Sequence, residues 1–189
     1  LCFNYFPSKT TAYENINSLL PGEYITIENN KLLIQKYEVE NTFYENLNQL
    51  KFKDIIKDSI KINLRSDVNL GLMMSSGLDS SIIAKEVAKK NQDIKAYTAD
   101  FENKFDNEGI LAKKFADELK INHETIQIKE NDVPYYLSEI LKKMDEPCAD
   151  TAIIPSYLIS KKANDDGIKV LLSGAGGDEI FGGYGRHYI

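Results

Sequence analysis

A short apolar run, residues 68–74, passes straight into Ser75-Ser76-Gly77-Leu78-Asp79-Ser80-Ser81 and from there into a helical pattern over residues 80–90. Strand, small-residue turn and helix start, in that order, make a phosphate cradle. Small residues let the backbone come close, the first helical turn points unpaired N–H groups at the ligand, and the helix dipole favours negative charge there. Asp79 lies in the same turn. A carboxylate beside a polyphosphate makes chemical sense with a divalent cation between them, and Mg²⁺ is commonly held by one or two carboxylates plus substrate phosphates. The kinase-type P-loop ends its turn in Lys followed by Ser or Thr, and no such run is present. Only Gly77 falls inside the turn, so the three spaced glycines of a dinucleotide fingerprint are missing too. Taken alone, a Ser-rich turn also reads as a plain connection between strand and helix.

The rest of the chain repeats the pattern. Residues 94–101 form a short continuous run suited to a buried strand, which completes a βαβ unit. Ile110, Leu111, Phe115 and Leu119, with Ala112 and Ala116, make an apolar helix face, and residues 123–128 alternate as a strand. Asp132, ahead of Val133 and Pro134, is a candidate cap for a helix running to about Met144, and another helix covers residues 155–164. The strand 168–172 then runs into Ser173-Gly174-Ala175-Gly176-Gly177, followed by Asp178-Glu179. Alternating strands and helices imply an α/β fold, a parallel sheet with helices on both faces. Ligands of such sheets bind at the carboxyl ends of the strands, near the point where strand order reverses, and both turns fall at carboxyl ends.

Upstream, Leu47, Leu50, Ile56, Ile60 and Leu64 recur mainly at helical spacing within residues 43–64, a long amphipathic helix. Residues 23–27 and 32–37 are β-rich runs around Asn29-Asn30-Lys31 and read as a hairpin, with Leu20-Pro21-Gly22 as a further turn. An isolated hairpin is marginal in water, so this segment is expected to belong to a larger sheet. The chain begins at Leu1 and stops at Ile189, just after a glycine-rich turn and aromatic residues, and both ends read as cuts through a longer protein.

Charge narrows the partners. Among 189 residues, 23 are Lys or Arg and 29 are Asp or Glu. The doublets Lys89-Lys90, Lys113-Lys114, Lys142-Lys143 and Lys161-Lys162 sit on helix surfaces and form no stripe, so a nucleic-acid partner is not expected. No apolar run is long enough to cross a bilayer and no signal-peptide pattern opens the chain. A cytoplasmic protein without a membrane partner is therefore expected. Cys2 and Cys148 lie far apart with no metal-ligand spacing. Cys148 reads as a packed side chain, and the isolated His123 and His187 read as structural or surface residues.

Four ordered motifs resemble those of the glutamine-dependent asparagine synthetases, within the larger group of PP-loop ATP pyrophosphatases. They are Leu64-Arg65-Ser66-Asp67-Val68 leading to the first turn, Asp145-Glu146-Pro147-Cys148-Ala149-Asp150, the run from Lys169 through the second turn to Glu179, and Phe181-Gly182-Gly183-Tyr184. Tyr5-Phe6-Pro7, Thr10 or Thr11, Ile16 and Leu20-Pro21-Gly22 resemble the tail of that family's glutaminase domain. The resemblance implies an adenine nucleotide alpha hydrolase-like fold of PP-loop type. It divides the chain into residues 1–40, the tail of an N-terminal glutaminase domain, and residues 41–189, the first part of an ATP-binding synthetase domain truncated at its C-terminus. The glutaminase nucleophile would lie upstream, since Cys2 is not in that context, and this piece alone is expected to be inactive.

The implied chemistry is an ATP-dependent amide ligation. A carboxylate of aspartate attacks the α-phosphate of ATP, giving an acyl-adenylate and pyrophosphate, and ammonia from glutamine displaces AMP. The implied partners are small molecules: ATP with Mg²⁺, aspartate or another carboxylate, and ammonia; a homodimer is an option for the full-length protein. By the same resemblance Ser75, Gly77, Asp79, Ser80 and Ser81 hold the pyrophosphate, and Asp79 and Asp178 are the catalytic, metal-side carboxylates. Met73 and Ala99 touch adenine through their backbones, while Ser173 and Gly174 sit against the ribose and α-phosphate. Gly176, Gly177, Gly182 and Gly183 read as tight turns or as direct contacts to the nucleotide, with tight turns favoured at Gly182 and Gly183, and Glu179 as a capping or a catalytic acid. Asp145, Glu146 and Asp150 either orient the second substrate or form caps and turns.

Two positions depart from the family pattern. Ser76 replaces a glycine, which adds a hydroxyl near phosphate but strains the turn if a positive φ is needed there. Ala175 stands where asparagine synthetases usually carry an acid. If that acid helps the ammonia step, adenylation survives its loss while the acceptor can differ from aspartate, as in relatives that amidate sugar acids or close β-lactam and lasso-peptide rings. A nucleotide-binding module without chemistry is the third reading; the presence of both Asp79 and Asp178 speaks against it.

Overall fold

In the computed structural model, residues 5–37, 49–90, 93–102 and 107–184 are described. Cys2, Leu47, His187 and the expected helix start at 43–48 lie outside them. The chain opens with an antiparallel hairpin, β1 (Glu23–Glu28) and β2 (Lys31–Lys36). Glu28 pairs with Lys31, so the loop is Asn29-Asn30 alone and Lys31 already belongs to the strand. Both asparagines have positive φ, 49° and 61°, the turn that matches the strands' own twist.

The helix α1 (Gln49–Asn63) leads into β3 (Leu70–Met73), α2 (Leu78–Ala88), β4 (Lys95–Phe101), α3 (Glu108–Leu119) and β5 (Asn122–Ile128). A 3₁₀ turn, Glu130–Asp132, precedes α4 (Val133–Leu141), and α5 (Ile153–Asp165), β6 (Val170–Leu172) and α6 (Gly177–Phe181) complete the order. Asp132 is not the expected side-chain cap. It has helical backbone angles and makes no capping bond, because the 3₁₀ turn already orients the chain into α4.

Strands β3 to β6 form one parallel sheet in the order β5-β4-β3-β6. From β3 the chain steps outward through β4 to β5, then returns by α4 and α5 to place β6 on the other side of β3. Strand order therefore reverses between β3 and β6. Alternation along the strands sends Leu70, Leu72, Met74, Ile94 and Ala96 to one face, where they meet Ile60 of α1, Ala84 and Val87 of α2, and Ala112 and Ala116 of α3. Tyr97 points to the opposite face, against Ile159 and Ala163 of α5. With both faces covered, the strands need apolar residues on both sides, which is why they read as continuous runs.

At the amino ends of β4 and β5, Lys95 lies 2.6 Å from both Glu124 and Asp166, and Lys162 lies 2.6 Å from Asp166. The Tyr97 hydroxyl donates to Asp166 at 2.8 Å. The bonds from Lys162, Lys95 and Tyr97 hold the Asp166 carboxyl well below the usual carboxylate range. Burial, then the bond to Asp166, pushes the Tyr97 phenol up to about 12. This clasp ties α5 to the sheet at the end opposite the two small-residue turns. Among the described residues no helix is long and apolar enough to cross a membrane.

Candidate active site

The first turn is built by its own hydroxyls. Ser80, 6 % exposed, turns its Oγ back into the loop. That oxygen accepts the Ser75 N–H at 3.2 Å, lies 2.8 Å from Ser75 Oγ, and is within donating distance of the carbonyls of Ser75 (3.0 Å) and Gly77 (3.1 Å). Ser75 Oγ in turn accepts the Gly77 N–H at 3.1 Å. A hydroxyl has one proton and two lone pairs, so Ser80 Oγ is spent on shaping the turn. What faces a ligand is backbone. The first helical bond of α2 runs from Ser81 N–H to Gly77 carbonyl at 3.1 Å, which leaves the N–H groups of Leu78, Asp79 and Ser80 without helical partners. The Ser81 hydroxyl donates to the same Gly77 carbonyl at 2.8 Å.

Ser76 introduces no strain. Gly77 is extended (φ −72°, ψ 158°), and among the described residues the non-glycine positions with positive φ are Ser8, Asn15, Asn29, Asn30 and Lys120. The turn thus has no left-handed position that a serine would have to occupy.

The second turn folds over the first. Ser173 Oγ accepts the Ala175 N–H at 3.3 Å, Gly177 N–H donates to Gly174 carbonyl at 3.2 Å, and Gly176 takes the left-handed φ of 96°. A Cβ placed on Gly174 would stand 3.0 Å from Asp79 Cβ and 3.1 Å from the Ser80 nitrogen, and one on Gly177 would strike the Asp79 carboxylate. A tight turn does not account for Gly177, whose backbone angles do not require glycine. It is small because the second turn lies directly on the first turn of α2. Asp79 is thereby set against the start of α6, with Asp178 the next residue along, and Gly183 approaches Asp178 in the same manner.

Between the turns and the carboxyl ends of β3 and β4 lies a cleft of about 920 Å³. Met73, Ser75, Gly77, Asp79, Ser80, Ala99, Ser173, Gly174 and Asp178 all line it, and Ser81 does not. Asp100 and Glu108 line it as well, though sequence reasoning missed them; Asp100 follows Ala99 at the carboxyl end of β4, where the strand-end rule applies equally. Asp150 shapes the chain ahead of α5, its Oδ1 accepting the Ala152 N–H at 2.9 Å. Asp145 and Glu146 line a separate depression with Tyr5, Tyr13 and Ile16.

The charged side chains lining the cleft among the described residues are Asp79, Asp100, Glu108 and Asp178, all carboxylates. Anionic phosphate would be repelled here without a cation. No group of three or more metal-binding side chains occurs among the described residues. Two hard oxygen donors at adjoining turns nevertheless fit Mg²⁺, which usually keeps several waters and takes its remaining ligands from phosphates.

A parallel sheet that brings two small-residue turns together at its strand-order reversal is the α/β arrangement of the PP-loop ATP pyrophosphatase fold. The backbone is similar to that of the NH3-dependent NAD synthetase from Campylobacter jejuni, with a TM-score of 0.50 and 16% identity, over 74% of this chain and 62% of that one. At that identity the likeness is one of fold. The family model described as Asparagine synthase matches residues 51–189, and the chain belongs to that family. It is 31% identical over 189 residues to asparagine synthetase [glutamine-hydrolyzing] 1 of Bacillus subtilis (strain 168), covering 97% of this chain and 30% of the relative. It is 32% identical over 148 residues to asparagine synthetase [glutamine-hydrolyzing] 2 of Oryza sativa subsp. japonica, covering 72% and 25%. The chain therefore spans 30% and 25% of the length of these two curated relatives.

Proposed function

We propose that this chain carries the nucleotide-activating part of an AMP-forming carbon–nitrogen ligase of the asparagine synthetase type. The observation that supports this most is the packing of Gly174 and Gly177 against Asp79, which joins two helix starts and two carboxylates at one edge of the cleft. In this reading the N–H groups of Leu78, Asp79 and Ser80 hold the pyrophosphate end of ATP, and Ser75 and Gly77 shape the turn around it. Met73 and Ala99 meet adenine through their backbones, and Ser173 and Gly174 lie along the ribose and α-phosphate. Ser81 supports the turn through its bond to the Gly77 carbonyl. Asp79 and Asp178 would hold Mg²⁺, which when bound supplies the positive charge that this carboxylate-lined cleft lacks.

The substrate carboxylate attacks the α-phosphorus, and the bond to the bridging oxygen of pyrophosphate breaks. Ammonia then attacks the acyl carbon, AMP leaves, and the extra proton on nitrogen is lost. Backbone N–H donors fixed before the reaction stabilise the charge that develops on the departing pyrophosphate without reorganising. The exposed apolar side chains of the hairpin support a place in a larger sheet: Ile27 is 72% exposed and Leu32 58%, and a two-stranded hairpin left uncovered is marginal in water. We assign residues 1–40 to the tail of a glutaminase domain that would supply the ammonia.

Ala175 favours a second reading. It lines the cleft with a methyl group, which takes no proton, so the amidated carboxylate can belong to a sugar acid or a natural-product precursor. The test is to give the full-length protein Mg²⁺-ATP and ammonium, with and without L-aspartate, and to separate the products. AMP and asparagine formed only with aspartate are expected from the first reading. AMP formed only with another carboxylate would replace it with the second, and ATP left intact with every acceptor would overturn both.

A further inference from the structure

We infer that His123 is a positioning residue for the nucleotide turn, acting through Thr98 to fix the carbonyl of Met74, from which that turn springs. The inference rests on the reading of this turn as the ATP cradle. Thr98 is 2% exposed, and its Oγ1 lies 2.6 Å from the Met74 carbonyl oxygen and 2.8 Å from His123 Nε2. A carbonyl can only accept, so the single Thr98 proton goes to Met74. The Thr98 oxygen must then accept from His123, which fixes the ring as the Nε2–H tautomer.

The result is a side-chain bridge across three neighbouring strands, from β5 through β4 to the end of β3. It terminates where the chain leaves the sheet. The Met74 N–H is held as well, by the Tyr97 carbonyl at 2.8 Å, so both backbone polar groups of Met74, at the base of the turn, are tied to β4. Thr98 itself lines the cleft.

The tautomer leaves His123 Nδ1 as an acceptor, buried and with no partner among the described residues. Protonation there would place an N–H and a positive charge where nothing accepts them, a costly arrangement in a buried site. The charged groups that act on the ring are Lys113 and Asp117 of α3 and Glu124 of its own strand, while the β4 residues beside it, Ala96 and Thr98, are uncharged. Burial, and after it Lys113, holds the imidazole below its ordinary range against the opposing pull of Asp117 and Glu124. The stability contributed by the neutral bridge is therefore fully present above about pH 6.5, the ordinary value for histidine, and is lost as pH falls through the lower value of the folded-state ring.

Long-range ¹H–¹⁵N spectra of the full-length protein read the tautomer directly, and hydrogen exchange without nucleotide reads the turn. The Nε2–H form is expected at pH 7.5. His123→Ala and Thr98→Val should each speed exchange of the Ser75 and Gly77 amides about tenfold, with His123→Gln, which keeps a donor at that reach, recovering part of it. Exchange in the β1–β2 hairpin should not change. Calorimetry with Mg²⁺-ATP should show several-fold weaker binding for His123→Ala. An Nδ1–H ring, or unchanged exchange at the turn in Thr98→Val, would overturn the bridge even if His123→Ala failed to fold. Faster exchange with unchanged ATP affinity would overturn its role in positioning the nucleotide. A wild-type protein with the bridge intact and no affinity for Mg²⁺-ATP would instead refute the ATP reading.

Discussion

Ser80 sits at the centre of the first turn with its hydroxyl surrounded by Ser75 and Gly77, so removing that one oxygen leaves several loop groups without a partner in a largely buried place. Ser80→Ala is expected to cost about 1–3 kcal/mol in urea unfolding and to weaken Mg²⁺-ATP binding as the turn loosens. Ser81→Ala removes only a hydroxyl bonded back to the Gly77 carbonyl of its own helix, and its stability loss should be smaller. Glycines carry the complementary constraint. Gly177→Ala would drive a methyl into the Asp79 carboxylate, and parting the turns to admit it should cost about 1–3 kcal/mol and at least tenfold in nucleotide affinity by calorimetry.

The elements fall into two ends with different tasks. At the carboxyl ends of the strands the two turns leave an open cleft; at the amino ends Lys95, Glu124, Lys162 and Asp166 close the sheet with paired charges. Because the folded-state carboxyl of Asp166 lies below its unfolded value, the stability it contributes is present above about pH 4 and is lost as pH falls through the folded value. Asp166→Asn should therefore be less stable than wild type at pH 7, with the gap narrowing in acid, as thermal unfolding from pH 7 to pH 2 will show. The strands and long helices were legible in the sequence because both sheet faces are buried and the helix faces keep their period. The short helix α6 was not legible, since five residues give no periodicity and its glycines read equally well as turns. Nor was the clasp, whose members stand 71 positions apart at Lys95 and Asp166 and meet only through the parallel pairing of β4 and the return of α5. His123 read as structural; its bond to Thr98 depends on strand register, which the local sequence does not print.

At the scale of the whole molecule, a strand order that reverses between β3 and β6 brings together two turns separated by roughly a hundred residues of helix and strand. Their matching chemistry was visible in the sequence, whereas the direct contact between Gly177 and Asp79 was not. The departure from the family pattern at Ala175 puts a methyl at the cleft. If the missing acid limits nitrogen transfer, Ala175→Asp in the full-length protein should raise asparagine formation while leaving ATP binding little changed, a split that amino-acid analysis beside calorimetry will detect. The measurement that bears most directly on the convergence of the two turns is a calorimetric titration of Mg²⁺-ATP into wild type and Asp79→Asn, with circular dichroism to establish that both are folded. Binding by wild type and its loss in the folded variant are expected. Equal affinity in the two proteins would contradict the assignment of Asp79 to the nucleotide site.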